Sequence, residues 1–310
     1  MIFVLDNKTF GGWSDMERTI LGHEILMHNH FVDCEREVRQ KIVELLGEQA
    51  QKAQPFSITD EQRTFLATIK AKDYSYKQLV SLAKERARLL IENGPYEWNV
   101  YKSMAEAYSK DRTYGNVFAM IDRAVKRHDL HCLHGGGCSV YPALIELEER
   151  ECYKDGVFEK KHVVIFDRDT DGFDNYSQEQ NTLFTKLCGK KSGSVAAQDV
   201  YTVEQQPYRW HVWCKRAIEN YFTNDRYQAL HVDTTQVPER TEDRDYCEMS
   251  KVLGQYGKKM MANISKGMKR DDFERYLMRF DVDIEDRKGK KTKHNVSEFQ
   301  LLLLKIAKII

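Results

Sequence analysis

The chain has 310 residues with 48 basic and 48 acidic side chains, so it offers no net field to draw nucleic acid or an anionic membrane, and any polyanion must be held by a local patch. The length exceeds the usual single-domain range and predicts one domain with a large insertion, or two. No stretch approaches the roughly 20 apolar residues that span a bilayer, the start MIFVLDNK lacks a signal-peptide layout, and seven scattered cysteines fit reduced thiols better than a disulfide frame. A soluble, cytoplasmic protein is expected.

In chain order, the run Ile2 to Leu5 predicts a first strand, followed by Asp6, a Gly11-Gly12 turn, and Ser14 as N-cap of a helix from Asp15 to about Phe31. From about Cys34 to Arg127 the apolar spacing is helical, broken near Pro55 and Gly94-Pro95, which predicts an all-helical insertion over residues 34–127. A second strand is expected at Leu130 to Leu133, then the turn Gly135-Gly136-Gly137 and a helix from Val140 to Glu149. His162 to Phe166 predicts the third strand, Ser177 to Leu187 a helix, Asp199 to Val203 and Trp210 to Trp213 extended segments, and Lys215 to Phe222 a helix. Strands separated by helices argue an α/β fold, a parallel sheet covered on both faces. Residues 263–310 are expected to form a helical C-terminal region with a basic loop from Arg287 to Lys293 and an apolar end.

The hexapeptide DRDTDG, Asp167 to Gly172, follows the third strand and places carboxylates where open α/β sheets bind ligands. Alternate acids there suit a hard divalent cation. Asp167, Asp169, Asp171 and Gly172 fit the first part of a calcium loop, but Asp174 and Gln178 stand where an apolar residue and a bidentate Glu belong. VVIFDRDTDG also looks like the start of a haloacid-dehalogenase-type phosphatase, with Asp167 as nucleophile and Asp169 as acid, but Asp171 replaces the usual Thr or Val. A third reading makes Asp167 and Asp169 ligands of Mg²⁺, with Mn²⁺ as the alternative ion, in phosphodiester cleavage. It demands a further carboxylate from a neighbouring strand end, and Asp6, ending IFVLD, is the candidate.

On that ordered series the sequence resembles TOPRIM-type nucleases related to the OLD nucleases and to the nuclease subunit of the PARIS anti-phage system. The elements are Asp6 after strand one, a glycine-rich turn at His134 to Gly137, DRD after strand three, KRAIENYF at Lys215 to Phe222, and GQYGKKMM at Gly254 to Met261. The resemblance implies a TOPRIM-like catalytic core over residues 1–33 and 128–262. The family's first acid is usually Glu followed by Gly, whereas here the pair is Asp6-Asn7; Glu17 or Glu24 on the next helix could substitute, with Asp15 also close in sequence. By resemblance, Asp6, Asp167, Asp169 and Glu219 hold the metal, Asp6 doubles as general base or acid, and Lys258 stabilises charge on the phosphate, with Lys259 beside it. It further implies a toxic effector of bacterial abortive infection cutting RNA such as tRNA, or DNA, held in check by a separate ATPase partner, with a homodimer also expected.

Nucleic-acid contacts are expected from Arg209, Lys215, Lys259, Lys290 and Lys291, with Tyr208, Trp210 and Trp213 stacking on bases or filling the core. HCLHGGGC carries His131, Cys132, His134 and Cys138, but no second ligand pair follows, so alternating strand residues explain it better than zinc. No nucleotide-triphosphate motif is present. The discriminating feature is convergence: Asp6 meeting Asp167 and Asp169 makes a nuclease, and a distant Asp6 favours an interaction module on a degenerate core.

Overall fold

In the computed structural model, which describes residues 1–134, 150, 154, 156–172, 180, 201, 209–238, 240–253, 263–274, 277–285 and 289–310, the apolar run at the start forms β1 (Ile2–Leu5) and Asp6 turns it into the short helix α1 (Asn7–Gly11). Ser14 then caps α2 (Asp15–Met27) in a capping box, its hydroxyl accepting from the Glu17 amide while Glu17 reaches back to the Ser14 amide. Asn29 at φ 54° closes this helix in the left-handed conformation. The chain leaves as β2 (Phe31–Cys34), where the sequence suggested continued helix.

Helices α3 (Arg36–Leu46), α4 (Glu48–Ala53) and α5 (Asp60–Phe65) follow, then β3 (Thr68–Lys70), α6 (Tyr76–Lys84) and β4 (Ala87–Ile91). The stretch 34–127 is therefore not an all-helical insertion. Leu89 and Leu90, which looked like one helix face, belong to a strand buried along most of its length, and a short apolar run buried on both faces has no period that separates strand from helix. After α7 (Gly94–Tyr108) and α8 (Gly115–Lys126) come β5 (Leu130–His134), a short helix at Val157–Lys161, β6 (His162–Phe166) and β7 (Arg209–Val212). The helices expected at 140–149 and 177–187 and the extended segment at 199–203 lie, apart from Gln180 and Tyr201, outside the described residues.

β1 to β3 form one parallel sheet in the order β2-β1-β3, and a second parallel sheet runs β5-β4-β6-β7. This is a mixed α/β chain of parallel sheets flanked by helices, compatible with a Rossmann-like fold. Beyond it, β8 (Arg279–Glu285) and β9 (Lys291–Ser297) make an antiparallel hairpin where helix was expected, with Glu285 opposite Lys291 and Asp283 opposite Lys293. Ser297 caps the last helix, Glu298–Ala307, in which every residue is buried. An apolar surface on all sides suits a helix enclosed by the core, and this one packs on α7, α8, β7 and the hairpin.

Candidate carboxylate site

β4 and β6 are hydrogen-bonded neighbours paired from Arg88–His162 to Leu90–Val164, so the residues that follow them leave the same sheet edge. These are Glu92 and Asp167. The Asp167 amide donates to Glu92 Oε1 at 3.3 Å. Two residues beyond Glu92, Gly94 opens α7 close against β5, and a Cβ there would stand 3.3 Å from the Cβ of His134 and 3.4 Å from its Cα. The helix brings in Glu97, only 4% exposed, whose Oε1 accepts from the Asn93 amide at 3.0 Å.

The IENYF segment folds as a single 3-10 turn, Ile218–Tyr221, rather than the longer helix expected, and each residue has a definite task. The Ile218 amide donates to Asp167 Oδ1 at 3.2 Å. Glu219, 7% exposed, adds its charge to that of Asp167. Asn220 ties the turn down by donating to the carbonyls of Arg244 and Cys247 at 2.7 and 3.0 Å. The Tyr221 hydroxyl donates to the buried Glu298 at 2.6 Å.

The DRD loop is held as firmly. Arg168 is fully buried and its Nε donates to the Trp213 carbonyl at 3.0 Å, while the amides of Arg168 and Asp169 both donate to the Arg216 carbonyl. Gln180 donates to the carbonyls of Asp167 and Arg168. Asp169 sits at φ 56°, a left-handed conformation that Asp tolerates better than most residues. Its carboxylate is exposed, beside a half-buried Asp167.

Crowded acids hold protons more tightly. Burial, then the charges of Glu92, Glu97, Glu219 and Asp169, push the Asp167 carboxyl well above the usual carboxylate range. Burial, then Glu219 and Glu92, push Glu97 up to about 8. Five carboxylates with hard oxygen donors and mutual repulsion fit a divalent cation by chemistry. As the side chains lie, the described residues contain no group of three or more His, Cys, Asp or Glu able to hold a metal ion, so the acids form a shared negative field rather than a finished coordination shell.

Asp6 is not part of it. It ends a strand of the other sheet, caps α1 by accepting from the Thr9 amide at 2.8 Å, and has its pKa lowered chiefly by that bond. The charges that act on Asp167 come from Glu92, Glu97, Glu219 and Asp169. The demand for an acid on a neighbouring strand is met by Glu92 instead. Its signal was present in ARLLIENG, an apolar run ending in an acid like IFVLD and VVIFD, but the helical spacing around it concealed the strand.

Other expected contacts resolve differently. Lys215 is buried, paired with Asp245 at 2.6 Å and set over the Tyr221 ring, so it is a structural cation rather than a nucleic-acid contact. Trp210 and Trp213 are buried core residues and do not offer faces to bases. Lys291 faces Glu285 across the hairpin, and Lys290 lies just before it. Asp171 is exposed, and the calcium-loop reading fails on the strand that precedes it. His134 accepts from the Gly94 amide, and His131 contacts Arg86. Lys258, Lys259, Tyr208, Cys138 and Gly135 to Gly137 lie outside the described residues, as does the side chain of Arg209.

Among the described residues no helix is long and apolar enough to cross a membrane. Comparison of the chain with family models, curated proteins and solved structures finds no match in any of the three.

Proposed function

We propose that the chain is a Mg²⁺-dependent nuclease whose site is built by Glu92, Asp167, Asp169 and Glu219, with Glu97 behind them. The observation that carries this reading is the pairing of β4 with β6, two parallel strands that deliver Glu92 and Asp167 to one edge within a hydrogen bond of each other. Under this reading the core resembles a TOPRIM sheet whose first acid is Glu92, separated by Asn93 from the Gly94 that the family usually carries immediately after its Glu. The added N-terminal sheet then stands outside the catalytic core. Abortive infection, control by an ATPase partner, homodimer formation, and tRNA or DNA as substrate remain implications of the resemblance.

A bound Mg²⁺ would activate water and stabilise the leaving oxygen. The chain's own groups do the positioning: the Ile218 amide fixes one oxygen of Asp167, and Asp169, in the left-handed conformation, is exposed beside it. Glu97 holds a proton at neutral pH whenever no cation offsets Glu92 and Glu219. A binding module on a degenerate core is the second reading, favoured by the absence of a formed metal group among the described residues.

The test is cleavage of tRNA and of duplex DNA by the purified chain with Mg²⁺ or EDTA. Glu92→Gln and Asp167→Asn should each lower the rate by about a hundredfold or more, whereas Asp6→Ala should leave it within about twofold, losing only an N-cap. Cleavage that survives both acid substitutions, or none from the parent chain, supports the binding module.

A further inference from the structure

At the opposite edge of the same strands lies a cavity of about 310 Å³, between the start of β4, the residue before β6, the end of α2 and the outer turns of α8. It is distinct from the carboxylate site, from which the lengths of β4 and β6 separate it. Its floor holds Lys161, 1% exposed. Among the described residues the Lys161 side chain makes no hydrogen bond and no ion pair; Glu85 and Asp129 act on it only at longer range.

A buried ammonium without a direct partner is expensive to keep, and it persists where an anion completes it or where it loses its proton. Burial pushes the Lys161 pKa down to about 7, so near neutrality an anion in the cavity would restore its charge. The surroundings repeat the sign. Arg86, Arg123 and Arg127 stand exposed at the same cavity, against two lining carboxylates, Glu85 and Asp129. Asp129 pairs within the cavity wall with Arg127 at 3.3 Å and His28 at 3.6 Å, which offsets Arg127, and Glu85 pairs outside it with Arg88 at 3.6 Å, which leaves Arg86 and Arg123 as the surplus arginines. Arg123 donates from Nε to a backbone carbonyl of its own helix, and Arg86 contacts His131, so neither is neutralised by a carboxylate among the described residues.

The rest of the wall is not that of a bare-ion site. Asn29 offers an amide, and Leu26, Phe31 and Met120 offer apolar surface, while the Gln62 amide is held by the Thr59 amide and by Met120 Sδ. The volume far exceeds the ~10–15 Å³ that one water needs. We propose that this cavity binds a small organic phosphate of up to mononucleotide size, its phosphate met by Lys161, Arg86 and Arg123 and its organic part by the amide and apolar wall.

Calorimetric titration of the full chain in EDTA with ribose 5-phosphate, AMP and inorganic phosphate tests this, the chelator removing any cation-borne binding at the acids. One of the two organic phosphates should saturate one site per chain, at least about tenfold tighter than inorganic phosphate. Lys161→Met and Arg123→Gln should each weaken it by about tenfold or more, the loss of one charge-assisted contact. Lys161→Met removes a buried charge and should not unfold the chain, and Arg123 is exposed, so folding failure does not mask the result. The proposal is overturned if no probe saturates in the millimolar range, if inorganic phosphate binds as tightly as both organic probes, or if neither substitution weakens binding.

Discussion

Asp169 shows how one backbone angle sets a residue's tolerance. At φ 56° a β-branched side chain is strained by about 1–3 kcal/mol, whereas Asn and Gly are not. Asp169→Asn should therefore unfold in urea close to the parent yet lose Mg²⁺-dependent cleavage, and Asp169→Val should lose both. Equal stability of the Val and Asn variants would contradict the argument. Glu97 makes a second prediction. Its folded pKa of about 8 lies above the unfolded value near 4.3, so its contribution to stability is full at low pH and is lost as pH rises through about 8. In EDTA, Glu97→Gln should remove a downward contribution to the slope of stability against pH that acts up to about pH 8, making the slope between about pH 6 and pH 9 more positive than the parent's, while the amide oxygen can still accept from Asn93. Urea melts at the two ends of that range measure the slope, and an unchanged slope removes Glu97 from the charge cluster.

Among the elements, the turn Ile218–Tyr221 and the last helix act as one support. Glu298 accepts from the Cys214 amide at 2.7 Å and from Tyr221 at 2.6 Å, and His211 Nε2 lies 3.1 Å away. Burial alone would raise its carboxyl, but these bonds outweigh it and leave the pKa below the usual range. Removing one donor with Tyr221→Phe should lower stability by about 1–3 kcal/mol in urea unfolding and weaken cleavage, since the same turn presents the Ile218 amide to Asp167. A loss of stability with unaltered activity would separate the support from the site. Much of this was readable from sequence: β1, β6 and the Ser14 cap follow directly from apolar runs and a capping residue, and IENYF stood out as a motif. What was not readable has a common cause. β2, β4 and the C-terminal hairpin are short segments whose identity depends on which strand lies beside them, and pairing partners far away in sequence leave no local period. With β4 hidden, Asp6 was the acid at a recognisable strand end that stood in for Glu92.

For the whole molecule, buried bases set the response to pH. Burial lowers His211 to about 4 and His162 to about 3, so both are neutral in the fold while the unfolded chain takes up their protons as pH drops below about 6.5. Lys161 and Lys305 are each lowered to about 7, chiefly by burial, so the unfolded chain binds more protons there between about pH 7 and pH 10.4, and their penalty is relieved as pH rises through that range. Lys161→Met should accordingly raise the melting temperature at pH 7 or below, by about 2–4 °C per kcal/mol recovered, and by progressively less toward pH 10. Thermal melts across pH measure this, and a uniform change would show that proton linkage is not its origin.

β4 and β6 are five residues each, about 17 Å end to end, and each has its first residue, or the one before it, at the cationic cavity and an acid just past its last. The two sites stand at opposite ends of one hydrogen-bonded pair of strands, so a ligand at one end that shifted the strands along their length would shift the residues at the other. The energetic consequence is symmetrical: whatever factor a cavity ligand imposes on cation affinity, the cation must impose on the cavity ligand.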